Sequence, residues 1–474
     1  MRPRSEPVIS PRRGTRGLLL ALAITSVMAA VLVVSCGTSP RGAPGAPTSV
    51  DRSDLNVILV ILDAAGAAHL SAYGLGRDTS PSIVGLARSG TLFQRAYSQS
   101  AWTLPSSAAF FTGLYPPRRA DRRMRPTSPT IAMYLHDAGY ATAAFSENAF
   151  VSEDFNFARG FDHFVDRYPW KHHDEAPDGF ARADSQQTVD QAIDWIDSTK
   201  GTRFFLYVHL LPPHSPYNAP PPFAGRFDPE YRGAIQGDIF TLHEIAAGKR
   251  AIDERDLAHL RFQYEENLAF ADRQVGRFLS ALDERDLAAH TIVIVAADHG
   301  EAFREHGYML HTVTLYDEMI HVPLVMRFPP RFGSLPGRWP EVVETRAILP
   351  TLCDALAIDA CADRERSLLE RLRNGNPDRP GSARSRTHDA TRRPLAAIVA
   401  GNHKLIVGSR LGSVRLYDLA RDPLEQHDIA PQNHRLVNEL RRLLRAADAE
   451  TMATGKPPVG DRTRQSLRAL GYAD

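Results

Sequence analysis

Five runs of apolar, β-branched or aromatic residues recur along the chain, at Asn56–Leu62, 141–145, 204–211, Thr291–Ala297 and 322–328. Runs this short, with little polar alternation, read as strands buried on both faces. Between them lie stretches with helical spacing. The clearest places Leu257, Leu260, Tyr264, Leu268, Ala271, Val275, Phe278 and Leu282 in steps of three and four, which predicts one long amphipathic helix. Strands alternating with helices predict an α/β layered domain over residues 55–360 with a largely parallel sheet. Residues 361–394, rich in Arg, Asn, Pro and Ser, break the pattern and read as a linker or loop. Beyond them, short runs at 395–400, 403–407 and 414–417 with Gly-containing turns predict a small antiparallel sheet. A charged helix over about 433–448 and a tail to residue 474 complete this C-terminal subdomain, 395–474.

The first 36 residues follow another logic. Arg2, Arg4, Arg12, Arg13 and Arg16 precede an apolar run over 18–34, and Ser35-Cys36-Gly37 closes it. Small residues before a Cys resemble a bacterial lipobox, in which the Cys is lipidated and becomes the mature N-terminus. A short transmembrane anchor is the other reading; the 17-residue run sits at the lower limit for a span. Both put the main domain outside the cytoplasm, tethered to a membrane at the bacterial cell envelope. The lipoprotein reading is preferred because the cleavage pattern is present, with residues 37–54 as a flexible Gly/Pro/Ser/Thr tether. The formal charge of the whole chain is +1. The leader carries +4, so the remainder is close to −3, which argues against a nucleic-acid partner. Cys353 and Cys361 lie eight apart in a compartment that permits a disulfide; a pair or two separate buried thiols both fit.

Chemistry gathers at the predicted strand ends. Asp63 directly follows the first strand, and Asp298-His299-Gly300-Glu301 directly follows the run Thr291–Ala297. Ligands of open α/β sheets bind beyond the carboxyl ends of the strands, and two carboxylates with an imidazole there can hold a divalent metal. Thr103, followed by Pro105 and an apolar stretch ending at Gly113, has the pattern of a helix N-cap. Backbone N–H groups at such a helix mouth attract anions, and a hydroxyl there can act as a nucleophile. His214 follows the run 204–211, and His306 and His311 follow Asp298-His299, so several imidazoles crowd the same sheet edge. Singly, an Asp after a strand or a Thr before a helix is usually a cap; only their convergence suggests a site.

In order and spacing, these segments resemble the sulfatase-like family of the alkaline phosphatase superfamily over about residues 55–430. The matching stretches include residues 56–63, Thr79-Ser80-Pro81, 102–106 with Thr112-Gly113-Leu114-Tyr115-Pro116, Arg159-Gly160-Phe161-Asp162, 213–217, 298–301, and Leu416-Tyr417-Asp418-Leu419 with Asp422-Pro423. The resemblance implies a mixed, largely parallel sheet flanked by helices, with a small four-stranded antiparallel subdomain. It implies metal ligands at Asp63, Asp298 and His299, and the nucleophile at Thr103. The frame departs from true sulfatases, which carry Cys or Ser, converted to formylglycine, in a Cys/Ser-x-Pro-x-Arg motif. Here it reads Thr103-Leu104-Pro105-Ser106-Ser107. Ala64 stands where many sulfatases have a second acid, and Gly66 and Ser107 where related sequences often have Arg and His. Phosphoethanolamine transferases and lipoteichoic acid synthases are similar at the metal, with a Thr nucleophile and two substrate-side His resembling His214 and His311.

The expectation is a metal-dependent hydrolase or transferase for phosphate-type esters, ahead of sulfate esters, without formylglycine. One divalent ion, zinc or manganese ahead of calcium, sits at Asp63, Thr103, Asp298 and His299, while His214 and His311 handle the anion or leaving group. The substrate is an anionic ester of a glycan, lipid headgroup or small molecule. The alternative is a non-catalytic binding protein for an anionic glycan or headgroup.

Overall fold

A computed structural model describes residues 51–116, 124, 128–168, 184–363, 365–375, 381–388, 391, 393–408 and 413–446. Cys36, the leader, the tether up to residue 50 and the tail beyond 446 lie outside them. Among the described residues no helix is long and apolar enough to cross a membrane.

The strands in chain order are β1 (Asn56–Leu62), β2 (Thr91–Tyr97), β3 (Ala141–Ser146), β4 (His163–Asp166), β5 (Phe204–Leu210), β6 (Thr291–Ala297), β7 (Ala302–Phe303), β8 (Met309–Leu310), β9 (His321–Val322), β10 (Leu324–Arg327), β11 (Arg338–Glu344), β12 (Ser382–His388), β13 (Pro394–Ala400), β14 (His403–Gly408) and β15 (Val414–Asp418). The helices are α1 (Pro81–Ser89), α2 (Thr103–Thr112), α3 (Ile131–Asp137), α4 (Ser185–Ser198), α5 (Ile239–Ala246), α6 (Glu254–Glu284), α7 (Asp317–Ile320), α8 (Ile348–Leu356), α9 (Leu368–Asn374) and α10 (His434–Ala446).

The main sheet runs β11-β2-β10-β6-β1-β5-β3-β4, with β9 on β2. The pairs along β6-β1-β5-β3-β4 and β11-β2 are parallel; β10 is antiparallel to both its neighbours. Every residue of β1, β5 and β6 is buried, as continuous apolar strands require when helices cover both faces. Two apolar layers result, one per sheet face, the second built largely on the inward side of α6. Register then fixes the functional edge. Leu62 pairs with Ala297 and with Leu210, so three parallel strands end at one level. The residues that follow them emerge side by side.

Two parts differ from the sequence expectation. Residues 322–328 are not one strand: Pro323, which cannot donate to a ladder, separates β9 from β10. Residues 361–394 are not a plain linker. They contain α9 and β12, and β12 is the first strand of the C-terminal sheet β12-β13-β14-β15. The polar composition of β12 hid it, because Ser385 and Thr387 bury hydroxyls that donate to the carbonyls of Ser98 and Thr312. The open question of the cysteines resolves as a Cys353–Cys361 disulfide, joining the end of α8 to the turn after it. The C-terminal helix α10 lays Val437, Leu440 and Leu444 against the small sheet.

Candidate active site and metal centre

Asp63 and Asp298 leave the paired ends of β1 and β6 together, and His299 follows one residue on. Their ligand atoms lie within 4.8 Å of one another, and all three residues are fully buried. The Nδ1–H of His299 donates to the Gly300 carbonyl at 2.9 Å, which leaves Nε2 facing the carboxylates. That nitrogen stands 3.5 Å from Asp63 Oδ1 and 3.6 Å from Asp298 Oδ2. Both of those oxygens are buried and accept no hydrogen bond. An unsatisfied buried acceptor costs about 1–3 kcal/mol, and more when charged. Two such oxygens converging with an imidazole lone pair fit a divalent cation. The charge pattern agrees. Burial would raise the Asp63 carboxyl, but His214, His209 and His299 around it hold it well below the usual carboxylate range. Burial and the neighbouring Asp63 charge push Asp298 the other way.

Thr103 is the first residue of α2 rather than its cap. The N-cap is Trp102, and no side chain caps the helix. The Thr103 hydroxyl is turned inward instead, donating to His299 Nε2 at 3.2 Å. It is fully buried at the helix mouth, where orphan N–H groups and the dipole favour negative charge. Ser107, one turn along α2 in the frame position of the sulfatase Arg, has a buried hydroxyl without a partner. Ala64, in the position of the second acid, takes a left-handed φ of 60° and donates its N–H to Asp298 Oδ1 at 3.1 Å. The turn is clamped by Tyr264, whose hydroxyl donates to the Ala64 carbonyl and accepts from Gly66 N–H.

Sequence reasoning missed two polar residues. Asn148, just past the end of β3, donates to Asp63 Oδ2 at 2.5 Å and lies 3.4 Å from the Thr103 hydroxyl. His209, inside β5, donates from Nε2 to the same Asp63 oxygen at 3.1 Å, while Tyr207 donates to its Nδ1. Burial would lower the His209 pKa, but the Asp63 partner raises it. The strand-end rule that found Asp63 applies equally to Asn148. His209 offered no such signal, because it sits within an apolar run.

His214 and His311 form a second group. Their rings lie 4.9 Å apart, and that of His311 lies 4.3 Å from that of His299. The Nδ1–H of His214 donates to the Ser215 carbonyl, and its Nε2 is buried without a partner. His311 donates from Nδ1 to Glu301 Oε1 at 3.0 Å, and burial beside His214 depresses its pKa strongly. Burial raises the Glu301 carboxyl to about 7 against the pull of His214 and His299. His306 does not join them. It stacks on Tyr316 at 3.5 Å and binds Glu318 and the Glu425 carbonyl, tying the main domain to the C-terminal sheet.

The family model described as Sulfatase matches residues 55–358, well over half of the chain. The chain belongs to the sulfatase family. It is an enzyme of the alkaline phosphatase superfamily, and hydrolases surround it. It is similar to human iduronate 2-sulfatase, at 28% identity over 69% of this chain and 67% of that protein. It is also similar to the Delta 4,5-hexuronate-2-O-sulfatase of Bacteroides thetaiotaomicron, at 22% identity over 82% of this chain and 88% of that protein. The crystal structure of the phosphonate monoester hydrolase of Agrobacterium radiobacter shares the fold with a TM-score of 0.67, at 21% identity, covering 83% of this chain and 95% of that one. Within this sulfatase-family fold, the candidate metal triad is Asp63, Asp298 and His299.

Proposed function

We propose that this sulfatase-family enzyme cleaves or transfers phosphate-type esters, in preference to sulfate esters, with Thr103 as its nucleophile and no formylglycine. The observation that carries this reading is the buried Thr103 hydroxyl aimed at the candidate metal triad from a helix mouth. Asp63, Asp298, His299 and Thr103 would hold one divalent ion, and the nitrogen donor favours zinc or manganese over calcium. When bound, such an ion polarises the ester oxygen and lowers the proton affinity of a hydroxyl beside it.

The rest of the chemistry falls to the chain's own groups. Thr103 Oγ1 attacks the phosphorus, the bond to the leaving oxygen breaks, and a Thr103 phosphoester remains. His214 Nε2 takes the Thr103 proton, which passes by way of the neighbouring His311 Nε2, unprotonated at rest, to the departing oxygen. Water or an acceptor alcohol then attacks the phosphoester. Its proton returns by the same path, through His311 and His214, to Thr103, and both imidazoles end neutral as they began. Asn148 Nδ2, 3.4 Å from the Thr103 hydroxyl, and the N–H groups at the start of α2 would stabilise the charge that a phosphoryl oxygen gathers there. Similarity to an iduronate 2-sulfatase and a hexuronate-2-O-sulfatase favours an anionic glycan substrate, and a lipid headgroup or small ester has the same chemistry.

The assay is turnover of 4-nitrophenyl phosphate, bis(4-nitrophenyl) phosphate and 4-nitrophenyl sulfate by metal-loaded protein. Phosphate turnover lost in Thr103→Ala supports the reading. Sulfate turnover that exceeds phosphate turnover and survives Thr103→Ala overturns it. Bound metal without turnover of any ester would point instead to a binding protein, a reading favoured by Gly66 and Ser107 where relatives carry cationic or imidazole side chains. We also propose that Cys36 is lipidated and anchors the enzyme at the cell envelope. Mass spectrometry of the membrane fraction tests this: an unmodified Cys36 still preceded by residues 1–35 would refute it.

A further inference from the structure

Glu301 is a fully buried acid that follows the metal triad in sequence and turns its carboxyl group to other partners. Its two oxygens are both engaged, and by different parts of the chain. Oε1 accepts from His311 Nδ1 at 3.0 Å, and Oε2 accepts from the Tyr217 hydroxyl at 3.1 Å. Tyr217 belongs to the segment that carries His214, and its ring packs edge-on against Tyr264, the residue that clamps the turn after Asp63. His311 itself sits between two residues of left-handed backbone, Leu310 at φ 63° and Thr312 at φ 92°. Non-glycine residues in that region cost about 1–3 kcal/mol each, and persist where the surroundings over-determine them. Here the surroundings are visible. Thr312 N–H donates to the Ala101 carbonyl, two residues before Thr103, and the Thr312 carbonyl accepts from Thr387 of β12. The turn bearing His311 is therefore pinned at its base, and Glu301 holds the ring at its tip.

From this geometry we propose that Glu301 is a positioning residue for His311: its carboxyl group, oriented by Tyr217, holds the resting proton of His311 on Nδ1, so that Nε2 is open to receive the proton released by Thr103 and hand it to the leaving group of the ester. The inference rests on the reading of His311 as the leaving-group acid. A carboxylate behind an imidazole fixes both tautomer and ring orientation, and loss of such a partner typically costs 10–100-fold in activity. Glu301→Gln keeps size and hydrogen-bonding reach while removing the carboxylate. It therefore separates positioning from packing.

Two measurements on metal-loaded protein test it. The first compares phenyl phosphate, whose leaving group needs a proton, with 4-nitrophenyl phosphate, whose leaving group needs it far less. Glu301→Gln should lower kcat on phenyl phosphate by about 10–100-fold and on 4-nitrophenyl phosphate by only a few-fold, with KM little changed. His311→Ala should show the same asymmetry, and the double variant should be no worse than His311→Ala alone. Tyr217→Phe should give a weaker version. Equal losses on both esters, or losses that multiply in the double variant, would show a structural role and overturn the proposal. The second measurement needs no turnover. Nitrogen-15 shifts of the His311 ring should show the proton on Nδ1 in the wild type and a changed or mixed tautomer in Glu301→Gln. An unchanged tautomer in the variant overturns the proposal, even if no ester is turned over and the proposed reaction itself fails.

Discussion

The two halves of the candidate site are built differently. Asp63, Asp298 and His299 stand on the ends of two adjacent strands whose register sets their spacing, with no loop in between. His214 and His311 stand on turns, and their places depend on polar partners: the adjacent Ser215 carbonyl for His214, and Glu301, Tyr217, Ala101 and Thr387 for the turn of His311. The first half is positioned by the backbone of the fold, and the second by a network of buried polar contacts. Substitutions should therefore separate them. Changes at the strand ends should remove metal and chemistry together. Changes in the turn network should lower rates selectively while metal binding survives.

The largest effect is expected at Thr103, whose hydroxyl faces the strand-end half through His299. Thr103→Ala should reduce turnover at least 10³-fold, equivalent to about 4 kcal/mol of transition-state stabilisation. Because the hydroxyl caps nothing, thermal stability should change by no more than about 1 kcal/mol. A large drop in melting temperature with residual turnover would mean that the residue serves the helix and not the reaction.

Asp298→Asn sharpens the contrast from the metal side. In stripped protein, two buried carboxylates confront each other, so removing one charge should stabilise the fold or leave it unchanged. With metal at a hundred times its dissociation constant, the wild type should gain about 2.7 kcal/mol over the stripped form. The variant should gain little. Elemental analysis and melting curves with and without chelator measure both effects. Equal metal content in the two proteins would remove Asp298 from the ligand set. Glu301→Gln, by contrast, should keep its metal.

The same division explains what was legible in the sequence. The strands β1, β5 and β6 were visible because burial on both faces demands unbroken apolar runs, and strand ends then located Asp63 and Asp298. Thr91–Tyr97 and Arg338–Glu344 were not visible, since each interrupts its apolar residues with Gln, Arg, Pro or Glu. β12 was hidden for the same reason. At the site, Asn148 and His209 escaped notice because the need for them arises only when Asp63 is seen in space. His306 was grouped with His311 on proximity in sequence, and its true partners, Glu318, Tyr316 and the Glu425 carbonyl, lie in elements no local pattern connects to it.

The smallest effects come from a pair of glycines that touch. Gly300 lies between His299 and Glu301, joining the strand-end half of the site to the turn half. A Cβ built there would lie 2.1 Å from the Glu318 carbonyl oxygen and 3.3 Å from Gly66 Cα. That oxygen is backbone, next to the Met319 carbonyl that accepts from Gly300 N–H, so it can yield only by shifting α7. Gly300→Ala should therefore cost about 1–3 kcal/mol, the range for overpacking a tight site. It should also disturb metal binding and leaving-group dependence together, because it moves His299 and Glu301 at once. Gly66 is the counterexample. Its φ of −75° suits any residue, and a Cβ there would meet His69 Cδ2 at 3.5 Å and the Glu318 oxygen at 3.6 Å, both ordinary contacts. Gly66→Ala should change stability by less than about 0.5 kcal/mol and leave metal content and turnover intact. If Gly66→Ala proves as damaging as Gly300→Ala, the close approach of these two turns needs the glycine at both positions. If it is silent, the close approach of the two turns needs glycine at residue 300 alone, and residue 66 has room for a Cβ.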